Sequence, residues 1–367
     1  MSKAADDRAP LALPTGIALK GAEETRPLDW YGIAQRLERS GLAFDRTFTP
    51  RQFSGGLANL NFLVRLESGW VVLRRPPDGP LPPGAHDMRR EHRILSGLWR
   101  ELPLAPRSLH YCDDAAVAGA PFQLLEFRSG VAVRGDRMAP LGETAVVARS
   151  LANTMIETLS AIHAVDVRKA GLEDLGRPGG FFRRTAASWV DRASRVIEGG
   201  LSNDAAAIAE WLDRAPAPKV DRATLLHNDF KLDNLLLDSA SLMPTAILDW
   251  DMGTQGDPLF DLATTLSYWC QANDAACMHR LAQMPTAREG FPDREAAAQM
   301  YDRITGRSIA EIKPYRVLTM LKLGVVFHQL NFRYRSGETN DVRYAAFGDL
   351  GNDLFAFTLQ IINDKIF

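Results

Sequence analysis

The spacing of apolar positions changes along this chain, and the changes divide it. Residues 1–26 are rich in Ala, Pro and charge and show no repeating apolar face, which predicts a flexible N-terminal tail that stays disordered or lies along the surface. From Leu28 onward, Trp30, Ile33, Ala34 and Leu37 recur at helical spacing until Ser40-Gly41 stops them, predicting an amphipathic helix. Strand-like runs follow at 46–52, 60–66 and 70–74, with Ser68-Gly69 as the hairpin turn between the last two. The Pro-rich segment 75–84 makes an irregular connection, and a helix is expected from His86-Asp87 to about Trp99. Runs at 108–112 and 121–127 add two strands, and Gly130 breaks the last of them, predicting a hinge.

Helical patterns then dominate. Val146, Val147, Leu151, Met155, Leu159 and Ile162 mark a central helix within 141–165, and a glycine pair at 179–180 introduces another. Segments 315–334 and 342–362 are helical by pattern, whereas 272–310 is interrupted by Pro285 and Pro292. Two short apolar strands, 235–237 and 246–248, flank a Ser-Leu-Met-Pro turn. Together these predict an α+β chain of two lobes, a small β-rich N-lobe with one internal helix over 27–128 and a larger, mainly helical C-lobe over 129–367.

Composition narrows the function. At 367 residues and 46% apolar content the chain can bury the cores of two lobes. The formal net charge of −2 argues against a general polyanion binder, so no nucleic-acid partner is expected. Cys112, Cys270 and Cys277 show neither CxxC spacing nor an even disulfide framework, which suits a reducing cytoplasm and speaks against zinc. No apolar run approaches the roughly 20 residues needed to span a bilayer. The start, MSKAADDRAPLALPTG, lacks a signal-peptide core, so a cytoplasmic protein with no membrane partner is expected.

The chemistry concentrates between Leu225 and Trp269, where His227, Asp229, Lys231 and Asn234 stand as H-x-D-x-K-x-x-N. Pairing of the two short strands would return Asp249 to the neighbourhood of Asn234. Phosphoryl transfer from a nucleotide needs a carboxylate at the acceptor hydroxyl and hard oxygen ligands for Mg²⁺. Asp229 suits the first task, and the Asn234 amide oxygen and Asp249 carboxylate suit the second. Lys231 can reach the transferring phosphate from the same loop, and His227 buttresses that loop. Asp238 reads as a turn residue, Asp251 as exposed, and Asp257, before Pro258, as a helix N-cap. Asp261 either compensates a helix dipole or bonds the backbone of the catalytic loop.

Upstream, Ser54, Gly55 and Gly56 form a Gly-rich turn whose backbone N–H groups can approach phosphates, although two glycines also make a plain turn. Arg74 is either a solvated strand-end cation or one aimed at a phosphate site. Glu91 either pairs with Arg74 across the sheet or makes surface i,i+4 pairs. Glu126 and Phe127 end the fifth strand, where backbone groups can meet an adenine edge. Arg183, Arg184, Trp189 and Arg192 set cations and an aromatic on one segment, either a grip for an anionic or flat substrate or a solvated amphipathic face. His163, in AIHAVD, reads as a satisfied core histidine, with support of backbone carbonyls near the catalytic loop as its functional alternative.

The segments HNDFKLDN, ILDWD and GDPLFDLA resemble the aminoglycoside phosphotransferase and choline kinase superfamily, which shares the bilobal protein-kinase-like fold. FSGGLANLNFLV, VVLRRPP, AHDMRREHRIL and APFQLLEF resemble the subgroup that occurs as the kinase region of acyl-CoA dehydrogenase fusion proteins, and the likeness runs from about Leu28 to the end. The resemblance implies Asp229 as catalytic aspartate, Asn234 and Asp249 as Mg²⁺ ligands, Asp261 as support beneath the loop and Glu91 as helix partner of the strand cation. Arg74 stands where a Lys is typical, and Asn228 where a Gly is common between His and Asp. It implies a kinase using ATP or GTP with Mg²⁺ to phosphorylate a small-molecule hydroxyl, with hydroxyacyl thioesters or hydroxy acids suggested by the fusion partners. Nearly all of the chain is used by the kinase fold, so no dehydrogenase region is expected in it. An aminoglycoside kinase is the less attractive variant, because Arg183, Arg184, Arg192 and Arg195 do not suit a polycation. A nucleotide-binding regulatory protein impaired in catalysis is the alternative from another class. A two-metal hydrolase lacks the His-rich ligation or close carboxylate pairing such a site needs.

Overall fold

The computed structural model describes residues 12–54, 59–79, 86–219 and 222–367. Helix α1 (Trp30–Arg39) begins where the Asp29 carboxylate accepts the Gly32 N–H, and it buries Ile33, Ala34 and Leu37 as their spacing requires. The run expected at 46–52 is a strand only at β1 (Arg51–Gln52). Strands β2 (Leu60–Leu66) and β3 (Gly69–Arg75) pair from Leu60↔Arg75 to Leu66↔Gly69. Helix α2 (Met88–Gly97) is capped by Asp87 and is followed by β4 (Ser108–Cys112), α3 (Ala115–Ala118) and β5 (Phe122–Glu126). The five strands form one antiparallel sheet in the order β1-β2-β3-β5-β4.

Part of the expected tail is held by this sheet. Lys20 N donates to Gln52 O and Ser54 N to Ala18 O, both at 2.8 Å, and Leu19 bridges Phe53. Backbone pairing at a sheet edge rather than an apolar repeat fixes this segment, so its composition carried no sign of it.

Side chains alternate across a strand, and that alternation aims Arg74. Val71 and Leu73 enter the smaller core with Ile33, Leu37, Phe62, Val64, Phe122 and Leu124. Burying Ile33 and Leu37 fully there is worth about 1.5–3 kcal/mol each. Val72 and Arg74 face the other way, toward α2, whose Ile94 and Leu95 belong to the larger core.

The larger core is built from α4 (Ala145–Ala164), α5 (Phe181–Val196), α6 (Asn203–Arg214) and the elements after them. These are β6 (Thr224–Leu226), β7 (Leu235–Leu237), β8 (Pro244–Ile247), β9 (Thr254–Gly256) and α7 (Pro258–Ser267). Helices α8 (Ala276–Leu281), α9 (Arg294–Thr305), α10 (Ile312–Arg335) and α11 (Phe347–Ile362) complete it. The pairing of β6 with β9 had no periodic signal, because each is three residues long. Helix α10 is buried on most of its circumference, as a helix through a core must be, yet it carries Arg316 and Lys322 inside. Among the described residues no helix is long and apolar enough to cross a membrane.

The break expected as a hinge after β5 is pinned. Val131 exchanges two backbone hydrogen bonds with Leu237, each 2.9 Å, and Thr245 Oγ1 donates to Ser129 O at 2.7 Å. Gly130 has φ +148, and a Cβ there would lie 2.6 Å from Thr245 Oγ1, so glycine serves close approach to the β7–β8 hairpin.

Candidate active site

Strand β6 delivers the chain into the loop that carries Asp229. Asn228 holds φ +67, a left-handed conformation that Asn tolerates better than most residues. Three bonds hold it there. Its N–H donates to Asp261 Oδ1 at 2.7 Å, its Nδ2 to Met252 O at 2.7 Å, and its carbonyl accepts Lys322 Nζ at 2.6 Å.

Asp261, fully buried in the first turn of α7, also accepts the His227 N–H at 2.6 Å and lies 3.3 Å from His163 Nε2. Of the two readings open for Asp261, the geometry thus selects the bond to loop backbone. His163 meets this carboxylate and the Tyr301 hydroxyl, 2.7 Å from Nδ1, rather than backbone carbonyls. Burial alone would raise the Asp261 carboxyl, but the hydrogen bonds it accepts from the His163 ring and the His227 backbone N–H hold it below its ordinary range. The His227 ring ties the loop to the strand before Asp249: Nδ1 accepts the Asp229 N–H at 3.3 Å and Nε2 donates to Leu248 O at 2.8 Å.

Asp229 has each carboxylate oxygen assigned. Oδ1 accepts the Tyr268 hydroxyl at 2.5 Å. Oδ2 lies 3.3 Å from Lys231 Nζ and 3.2 Å from Asn234 Nδ2. Burial pushes the Asp229 carboxyl up, yet Lys231, Lys322 and the Tyr268 hydroxyl together hold it low, so it is ionised at neutral pH. The same contacts act on the partners. Burial opposes the Lys231 charge, but Asp229 and Asp233 raise its pKa, while burial pushes the Tyr268 phenol well up.

The β7–β8 hairpin sets Leu235 opposite Ile247, and Leu248 N donates to Asn234 O at 2.8 Å, which brings Asp249 back to Asn234. Asn234 Nδ2 donates to Asp229 O at 2.8 Å as well as to its carboxylate, so the amide oxygen remains as an acceptor. An amide oxygen and a carboxylate are the hard donors that Mg²⁺ takes alongside water and phosphate oxygens, and the residues fit that ion. Among the described residues no group of three or more His, Cys, Asp or Glu forms a fuller metal cage.

Arg74 joins the sheet to this hairpin. Its Nε lies 2.8 Å from Glu91 Oε2, and Nη2 bonds Asp249 Oδ1. Glu91 is buried and also accepts Gln123 Nε2 at 2.6 Å and the Trp250 N–H at 3.2 Å. Burial works against the Arg74 charge, but Asp249 and Glu91 outweigh it and raise its pKa. Arg74 and Glu91 are thus paired with each other, not solvated. Asp251, expected exposed, is only 8% exposed, because the turn after Trp250 folds it back toward Glu91 and Asp249. Burial and those two charges push its carboxyl well up.

Several of the other expected residues are bonded elsewhere. The Ser54 N–H is taken by Ala18 O, and Gly55 and Gly56 fall outside the described residues. The Glu126 N–H donates to Arg107 O at 2.8 Å and its carboxylate accepts the Arg107 N–H at 3.1 Å, so that amide is not open to an adenine edge. Phe127 is half-buried just past β5. Arg183 and Arg184, expected at the substrate, bond backbone carbonyls. Arg183 Nη1 and Nη2 donate to the carbonyls of Leu212 and Asp213, each at 2.7 Å, and of Ala215 at 2.5 Å, completing the C-terminus of α6. Arg184 donates to the carbonyls of Gly179 and Arg177. Trp189 is buried with the Arg192 guanidinium 4.7 Å from its ring centroid, and Arg192 is near enough to Lys322 to lower its pKa further after burial and Lys231.

Two residues of the cluster were absent from the sequence reading. Lys322 had a legible signal, a lone lysine in the apolar run of α10, since lysine is almost never buried without a partner. Tyr268 had none, because an aromatic beside Trp269 at a helix end reads as core.

Comparison with known proteins agrees with this architecture. A chicken (Gallus gallus) protein, acyl-CoA dehydrogenase family member 11, is 30% identical over 297 residues, 79% of this chain and 37% of that protein. The chain spans less than half the length of the curated relatives it matches. A candidate aminoglycoside phosphotransferase of Ralstonia eutropha superposes with TM-score 0.76 at 22% identity, over 92% of this chain and 99% of that one. A choline kinase of Cryptosporidium parvum superposes with TM-score 0.60 at 12% identity, over 92% and 96%. A thermostable aminoglycoside phosphotransferase APH(4)-Ia, in ternary complex with AMP-PNP and hygromycin B, superposes with TM-score 0.56 at 18% identity, over 89% and 98%. The fold is the α+β, protein-kinase-like one, with a sheet-rich N-terminal region and a larger helical remainder. Residues 49–299 match the phosphotransferase enzyme family, APH, and with more than half of its length inside that match the chain belongs to this family.

Proposed function

We propose that the protein is a Mg²⁺-dependent phosphotransferase that moves the γ-phosphate of ATP or GTP to a hydroxyl of a small molecule. One observation carries the reading: Asp229 and Asn234 share a hydrogen bond of 3.2 Å, and the β7–β8 hairpin returns Asp249 to the same place. Asp229, ionised and held on both oxygens, orients the acceptor hydroxyl and takes its proton as the new P–O bond forms and the bond from the γ-phosphorus to the β,γ-bridging oxygen breaks, releasing ADP or GDP. Lys231, salt-bridged to Asp229 at 3.3 Å, offsets charge on the transferring phosphate. Asn234 and Asp249 would hold Mg²⁺, which neutralises phosphate charge when bound. Arg74, positioned by Glu91, turns its guanidinium to nucleotide phosphates, and its present bond to Asp249 must yield when they bind. Asp261 and His227 keep the loop in place. Arg192 on Trp189 is retained as a residue of the acceptor side, near Lys322. The likeness to acyl-CoA dehydrogenase family members makes hydroxyacyl thioesters and hydroxy acids the first acceptors to try, and the buried, free cysteines suit a cytoplasmic setting.

The test is acceptor-dependent release of ADP from Mg-ATP, or of GDP from Mg-GTP, in a screen of hydroxyacyl-CoA, hydroxy acids and amino alcohols, with Asp229→Asn beside the native protein. Unchanged transfer by Asp229→Asn would remove its assigned role. A second reading, a regulatory nucleotide binder without turnover, draws on the Arg74 bond to Asp249. Thermal stabilisation by ATP with and without Mg²⁺, and no acceptor-dependent ADP release, would favour it.

A further inference from the structure

Tyr268 follows α7, 39 residues beyond Asp229, and belongs to neither the H-x-D-x-K-x-x-N loop nor the hairpin. Its ring is buried, and Lys231 Nζ lies 4.9 Å from the ring centroid. Its hydroxyl reaches Asp229 Oδ1 at 2.5 Å, a short, charge-assisted geometry. The opposite oxygen, Oδ2, is taken by Asn234 and Lys231, the residues assigned to metal and phosphate. The carboxylate is therefore divided: one oxygen faces the phosphate side, and the other faces Tyr268.

We propose that Tyr268 is a positioning residue that holds the Asp229 carboxylate with Oδ1 turned to the acceptor hydroxyl. A carboxylate oxygen has two lone-pair directions. Tyr268 occupies one, and the other remains for the incoming hydroxyl. The terminal torsion of an aspartate is broad, so without the phenol no hydrogen bond to Oδ1 among the described residues opposes rotation of the carboxylate toward the Lys231 ammonium. The Asn234 and Lys231 bonds would persist after such a rotation, because either oxygen can serve them. The acceptor-facing oxygen would be lost. Misplacement of a reacting group by about 1 Å costs on the order of 10²-fold in rate.

This inference rests on the phosphotransferase reading. Its test is Tyr268→Phe, which keeps the ring, its burial and its contact with Lys231. Mg-ATP turnover with the hydroxylated acceptors of the screen, binding of Mg-AMP-PNP and thermal melting are measured on one preparation. The expected result is a fall in kcat of roughly 10- to 100-fold, with KM for Mg-ATP and affinity for Mg-AMP-PNP within about twofold of the native values. A downfield proton NMR signal from the short hydrogen bond, present in the native protein and lost in Tyr268→Phe and Asp229→Asn, is expected independently of turnover. Native kcat in Tyr268→Phe overturns the role, and so does joint loss of nucleotide binding and melting temperature, which would assign Tyr268 to the fold. If the native protein releases no more ADP with any acceptor than without one, the phosphotransferase reading fails and the role falls with it. If the native protein turns over and Tyr268→Phe equals it, the role of Tyr268 fails alone.

Discussion

Lys322 Nζ donates to the carbonyl oxygen of Asn228 at 2.6 Å, joining the middle of α10 to a loop residue whose backbone is left-handed. Lys322→Met keeps the volume of the stem and leaves that buried carbonyl unpaired, a loss of about 1–3 kcal/mol. Burial pushes the Lys322 pKa down, so part of the cost of the buried charge is recovered and the net falls toward the lower end. Urea unfolding checks this as a lower midpoint at unchanged slope.

Asp261 makes stability depend on acid. Its carboxyl accepts two loop N–H groups and lies beside His163, and despite burial its pKa is lowered in the fold. A carboxyl depressed in the folded state contributes stability above its unfolded pKa of about 3.9 and loses it as pH falls through the folded value. Stability of the native protein should therefore drop below about pH 4 more steeply than that of Asp261→Asn, read by thermal melting across pH. At neutral pH Asp261→Ala should cost about 3–5 kcal/mol, because His163 and the loop amides lose a buried partner.

Arg74 reaches Glu91 and Asp249 together, which a planar fork can do and an ammonium does less well. Arg74→Lys should keep the Glu91 pair, retain turnover and alter KM for Mg-ATP by about 10-fold or less. Arg74→Met leaves Glu91 buried without its counter-ion, costing about 3–5 kcal/mol in addition to nucleotide affinity. Melting curves and steady-state kinetics on the same variants separate the two effects.

Asn234 donates to both the carbonyl and the carboxylate of Asp229, which an aspartate cannot do. Asn234→Asp removes those bonds and sets a second negative charge against Asp229. Acceptor-dependent ADP release should fall by about 10²-fold or more, and added Mg²⁺ should restore only part of it. A Mg²⁺ titration of turnover is the measurement.

The sequence by itself determined the elements whose pattern is local. Strands at 60–66 and 108–112 and helix α1 stand where periodicity sets them, because burial along one element repeats with its own geometry. The return of Asp249 to Asn234 was legible for the same reason, since a short hairpin makes it a near-neighbour contact. Only the tertiary structure decided that Arg74 meets Asp249, 175 residues away, that His163 meets Asp261, 98 residues away, and that Tyr268 and Lys322 close on the Asp229 loop. It also decided that Asp251 is buried and that Arg183 caps α6. Such contacts depend on how separate helices and strands pack, and the period of one element holds no record of which face of another will cover it.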